Sequence, residues 1–130
     1  SGETLENVKN NYKLFCDLSP RRMIAESSPD EVRREFREEL LRTSPEVCYR
    51  DLVACDEFDI MDSVHEVKAP VCIVSAELDI LTPPKYGEYL RDSILGSDYH
   101  LIRGSGHFMM LEKPLEFNEI LLGFLTKVAP

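Results

Sequence analysis

Apolar and polar positions follow two different periods along the chain. Over residues 3–18, Leu5, Val8, Tyr12, Phe15 and Cys16 recur on one face at helical spacing, and Ser19-Pro20 punctuates the run. Ser28-Pro29-Asp30-Glu31 is a helix start: the serine can cap, the proline suits the first helical position, and Glu31 completes a capping box. The helix that follows, to about Arg42, gathers Val32, Phe36 and Leu40 on one stripe. Its other face carries acidic and basic residues and reads as solvated, with i,i+4 pairs such as Asp30 with Arg34. Ser44-Pro45-Glu46 repeats the capped start and opens a third helix to about Ala54, with Val47, Leu52 and Val53 inward. Residues 55–62 have no clear period and read as a connector, and Ser63-Val64-His65-Glu66 as one more helical turn.

From Val67 the pattern changes. Val71-Cys72-Ile73-Val74 is a continuous apolar run after Pro70, as expected of a strand buried on both faces. Thr82-Pro83-Pro84 caps and begins a helix with Tyr86, Tyr89, Leu90, Ser93 and Ile94 inward, and Gly96 ends it. Tyr99-His100-Leu101-Ile102 is a second strand. Pro114 starts a last helix whose apolar stripe is Phe117, Ile120, Leu121, Phe124, Leu125 and Val128. Strand, helix, parallel strand and helix make a βαβα unit with a right-handed crossover. The chain thus reads as α/β in two parts: a helical region with its connector over 1–66, and a βαβα region over 67–130. No internal repeat, low-complexity tract or flexible linker interrupts it.

Composition narrows the function classes. The 130 residues are one domain's worth of chain. With 24 acidic against 15 basic residues the formal net charge is -9. Nucleic-acid binding and attraction to an anionic membrane both require the opposite sign, so neither is expected. No apolar run approaches the ~20 residues of a membrane span, and no signal peptide opens the sequence. Cys16, Cys48, Cys55 and Cys72 form no C-x-x-C pair and no zinc or disulfide framework. They read as free thiols in a reducing compartment, hence a cytoplasmic protein. Asp56, Asp59 and Asp62 lack the turn glycine and closing glutamate of a calcium loop, so no metal is expected.

Candidate chemistry lies at the two strand ends. Asp79 falls just past the first strand, and the glycine-flanked His107 just past the second. In parallel sheets, chemistry sits outside the carboxyl ends of the strands. Gly104 and Gly106 let the loop turn tightly enough to aim the histidine. No nucleophile accompanies the pair. G-x-S-x-G is absent, and Ser105 sits on the same loop, two residues from His107, poorly placed to present its hydroxyl to that imidazole.

The stretch K-A-P-V-C-I-V-S-A-E-L-D-I-L-T-P, then G-S-G-H-F, then L-E-K-P-L-E-F-N, resembles the C-terminal third of an α/β-hydrolase. The resemblance is specific over residues 67–125 and weak over residues 1–50. It implies the triad order nucleophile, acid, histidine, with Asp79 as acid and His107 as histidine. The preceding helices resemble the lid inserted before the acid-bearing strand. One departure is Ala76, where the family usually has glycine three residues before the acid. On this template His107 acts as general base and then general acid, and Asp79 holds its tautomer. Phe108 and Met109 line an acyl or alcohol pocket or pack in the core. The expectation is a C-terminal fragment of a serine-type α/β-hydrolase acting on a small ester-like substrate without a cofactor, and inactive alone. The nucleophile and oxyanion hole come from a missing N-terminal part of the fold, in cis or on a separate chain. The same pair serves C–C bond hydrolases, and dehalogenases and epoxide hydrolases, whose nucleophile is Asp. The alternative is a non-catalytic interaction module that self-associates through its incomplete sheet. Two parallel strands leave open edges, so homo-oligomeric or hetero-association is expected under either reading.

Overall fold

Asn11 breaks the first apolar stripe. In the computed structural model, which describes residues 2–129, the single helix expected over 3–18 is two: α1, Gly2–Asn10, and α2, Tyr12–Met23. The Asn11 side chain accepts the Leu14 N–H at 3.2 Å and so caps the second. Helix α2 runs through Pro20 rather than ending before it. Proline there removes one N–H from the ladder, and the Ser19 hydroxyl donates to the Phe15 carbonyl at 2.7 Å within the same turn. Helix α3, Asp30–Arg42, and α4, Pro45–Glu57, follow.

Two compact units emerge among the described residues. One holds residues 2–22 and 29–59, the other residues 23–28 and 60–129. The first is all helical. Its core is Val8, Phe15, Cys16 and Cys48, with Tyr12, Leu40, Tyr49 and Leu52 packed against them. The Tyr12 hydroxyl donates to the Leu40 carbonyl at 2.7 Å. Cys48 and Leu52, one turn apart, set the inner face of α4. Val47, expected inside, is therefore rotated to the surface, since one residue is about 100° of helix. On α3 Asp30 pairs with Arg33 and Glu31 with Arg34 at i,i+3, not Asp30 with Arg34, while Arg42 pairs with Glu38 at i,i+4 and with Glu39 at i,i+3; each pair has at least one exposed partner and contributes little to stability.

The second unit carries the sheet. A 3₁₀ helix, Met61–Glu66, leads to β1, Cys72–Ala76, then α5, Pro84–Ser93, then β2, Asp98–Ile102. The strands are parallel, with Cys72 opposite Asp98 and Ala76 opposite Ile102. This is the order and direction that the pattern predicts. The helix between them keeps part of its expected inner face, with Ile94 buried and Leu90 and Ser93 half-buried, and differs in the rest. Tyr86 and Tyr89 are exposed, and Gly87 is the buried position. A Cβ on Gly87 would overlap Ser75 Oγ and stand 3.0 Å from the Tyr99 ring. Helix and sheet therefore approach closely enough that only glycine fits.

A short helix α6, Met109–Glu112, precedes α7, Pro114–Val128. Ala76, Ile102 and Met109 form the core here, joined by Val74, Phe117 and Ile120. The rest of the α7 stripe is not buried: Leu121, Leu125 and Val128 are exposed, and Leu122 is 64% exposed. Among the described residues no helix is long and apolar enough to cross a membrane, and no acid, cysteine and histidine cluster could hold a metal ion.

Candidate active site

The turn after β1 places the acid. Glu77 N–H donates to the Ile102 carbonyl at 2.9 Å, Leu78 N–H to the Ser105 carbonyl at 2.9 Å, and Asp79 N–H back to Ala76 at 3.2 Å. The end of β1 is thus laced to the loop that follows β2. Asp79 emerges from this turn with its side chain only 2% exposed.

A buried carboxylate needs donors, and Asp79 has them on both oxygens. Oδ1 accepts the backbone N–H of Leu81 at 2.8 Å and of Thr82 at 3.0 Å. Oδ2 accepts the Thr82 hydroxyl at 2.7 Å and faces His107 Nδ1 at 2.8 Å. Burial alone pushes this carboxyl up. The bonds from the Thr82 amide, His107, the Thr82 hydroxyl and the Leu81 amide outweigh it, and the acid is held below its ordinary value.

With Nδ1 against an ionised carboxylate, the hydrogen-bond network assigns the ring proton to Nδ1. That leaves Nε2 as the nitrogen through which the ring can exchange a proton. The His107 side chain is 32% exposed, so this second nitrogen belongs to a ring that is only partly covered. The Phe108 ring stands edge-on to the imidazole, with centroids 5.3 Å apart and planes at 83°.

Thr82 is the site residue that sequence pattern misassigns. Its position before Pro83-Pro84 suggests a helix cap. Helix α5 instead starts after Pro83 with no side-chain cap, and the threonine hydroxyl is spent on Asp79. Its Oγ1 also lies 3.3 Å from His107 Nδ1. The signal available was Asp-x-x-Thr, the spacing at which a side-chain carboxylate closes a turn on the amides two and three residues on.

The histidine loop has its own requirements. Gly104 has φ +62, a conformation that favours glycine, and its N–H donates to Glu77 Oε2 at 2.9 Å. Gly106 is needed for space: a Cβ would stand 2.8 Å from both Ala25 N and Met23 O. Ser105 between them is fully buried, and its hydroxyl donates to the Gly106 carbonyl at 3.4 Å. Met109 packs with Ala76 and Ile102, while Phe108 stays half-buried beside the imidazole. The first capped start, at Ser28, also resolves here. The Ser28 hydroxyl does not cap α3, because it donates to the Glu112 carboxylate at 2.7 Å.

An oriented imidazole backed by a buried carboxylate can take and return a proton. No protein-family model matches the chain. A proline iminopeptidase of Lacticaseibacillus rhamnosus is 29% identical over 99 residues, which are 74% of this chain and 33% of that protein. A 2-hydroxy-6-oxononadienedioate/2-hydroxy-6-oxononatrienedioate hydrolase of Klebsiella pneumoniae is 36% identical over 69 residues, 53% of this chain and 24% of that protein. Among solved structures, a thermophilic esterase superposes with a TM-score of 0.84 at 34% identity, covering 99% of this chain and 52% of its own. The chain therefore spans about half of that structure and a third or less of the two relatives.

Proposed function

We propose that this chain, which belongs to the α/β-hydrolase superfamily, supplies the catalytic acid Asp79 and the catalytic histidine His107 to a hydrolytic active site. The observation that carries the reading is the 2.8 Å approach of Asp79 Oδ2 to His107 Nδ1 just beyond the ends of two parallel strands. In this reading Nε2 takes the proton of a nucleophile as it attacks a carbonyl carbon, and Asp79 stabilises the imidazolium that forms. The same proton then goes to the departing oxygen. The helices before β1 are the lid segment that the family inserts ahead of the acid-bearing strand.

The nucleophile is a serine carried by polypeptide beyond these 130 residues, joined in cis or present as a second chain. Two features support this. G-x-S-x-G is absent, and Ser105 is buried with its hydroxyl turned to a backbone carbonyl. The favoured substrate class is a carboxylic ester, because the esterase of known structure aligns over 99% of the chain. The exposed apolar face of α7 supports association with the rest of the fold.

The test is the pure 130-residue chain with p-nitrophenyl acetate. The expected result is no turnover above the uncatalysed rate. Turnover that disappears in His107→Ala would place a nucleophile within the chain and overturn the proposal.

A further inference from the structure

One buried carboxylate near His107 takes no part in the acid–base pair. Glu112, at the end of α6, is buried. Its oxygens accept the Gly106 N–H at 3.0 and 3.1 Å, the Ala25 N–H at 2.9 Å and the Ser28 hydroxyl at 2.7 Å. All of these residues lie in the same compact unit. The convergence has a local cause. The Gly106 backbone lies against residues 23–28 so closely that no Cβ fits between them. Two irregular stretches packed this way bring together buried N–H groups that no helix or strand ladder serves, and leaving such donors unpaired is costly. An ionised carboxylate suits the place. It is purely an acceptor, its two oxygens can serve several donors, and charge-assisted bonds are the stronger kind.

The loop is tied on both sides of the histidine. Gly106, the residue before it, is held by Glu112. Phe108, the residue after it, donates its N–H to the Met23 carbonyl at 3.4 Å. We propose that Glu112 is a positioning residue for His107, fixing Gly106 against residues 23–28 so that the imidazole meets Asp79. It acts through the backbone of the preceding residue. The inference deepens the reading of His107 as the base and rests on it.

The test is NMR of the isotope-labelled chain. In the unsubstituted chain the Asp79-bound Nδ1 proton of His107 gives a resolved downfield signal, and the Gly106 and Ala25 amides exchange slowly. In Glu112→Ala these two amides exchange about tenfold faster or more, while the amides of the β1 and β2 ladder keep their protection. The Nδ1 signal broadens away. Glu112→Gln keeps the shape and one acceptor oxygen, and partly restores both signals; where the alanine variant does not fold, the glutamine variant decides. A folded alanine variant that keeps both signals overturns the proposal, as does a glutamine variant that keeps both when it is the one to decide. Equal loss of protection across the ladder also overturns it, because Glu112 would then be a general stabiliser. Failure of the base reading looks different: unchanged turnover in an intact enzyme carrying His107→Ala, with these NMR results standing.

Discussion

Asp79 Oδ2 takes the His107 Nδ1 at 2.8 Å and the Thr82 hydroxyl at 2.7 Å on the same oxygen. The carboxylate therefore faces the imidazole with one lone pair committed to a neighbour three residues along its own chain. Thr82→Val keeps the β-branched shape and removes that donor. The expected cost is about 1 kcal/mol of stability, with a fall of about tenfold in kcat/KM for the intact enzyme and little change in KM. Urea unfolding and steady-state kinetics on the two proteins check it, and an unaltered kcat would separate Thr82 from the site.

The acid is held below its ordinary value, against the upward push of its burial, because hydrogen bonds from Thr82, His107 and Leu81 outweigh that push. A group depressed on folding contributes stability above its unfolded value, about 3.9 for Asp, and loses it as pH falls through the lower folded value. Unfolding midpoints measured from about pH 6 downward should show an acid-side loss that is smaller in Asp79→Asn. An identical acid limb in both proteins would contradict the assigned bonds.

Two glycines make opposite predictions. Gly87 sits where a Cβ would overlap Ser75 Oγ, whereas Gly123 in α7 has open space around it. Gly87→Ala should destabilise by about 1–3 kcal/mol through forced repacking of α5 on the sheet. Gly123→Ala should stabilise by about 0.5–1 kcal/mol through helix propensity alone. Thermal melts of the two variants, run side by side, test the packing of α5.

Helix α7 leaves Leu121, Leu122, Leu125 and Val128 exposed on an apolar helix. Such a face favours association. Sedimentation of the chain should give a mass above that of the monomer, and Leu122→Glu should lower it. A monomer at micromolar concentration would show that the face needs no cover.

The two strands, their direction, and the placement of Asp79 and His107 were legible because each depends on local pattern. A short apolar run ends in a turn, and glycines flank a loop histidine. What the pattern could not carry was tertiary competition. Ser28-Pro29-Asp30-Glu31 has every local mark of a capping box, yet its serine serves Glu112, 84 positions away. Thr82 has every mark of a cap and serves Asp79 instead. Gly87 looks like a weak helix residue until the sheet beneath it is seen. Sequence periodicity found the α7 stripe, but exposure depends on what covers a face. In the same way, residues 23–28, the last residue of α2 and the stretch after it, belong with the sheet unit, through contacts that no local signal announces.

The most direct test of the central claim is kcat/KM for p-nitrophenyl acetate in the intact enzyme that contains this chain, comparing Asp79→Asn and His107→Ala with the parent. Losses of about 10³–10⁴-fold are expected for each, because the first change removes the group that orients the base and the second removes the base itself. Undiminished turnover in both variants would contradict that claim.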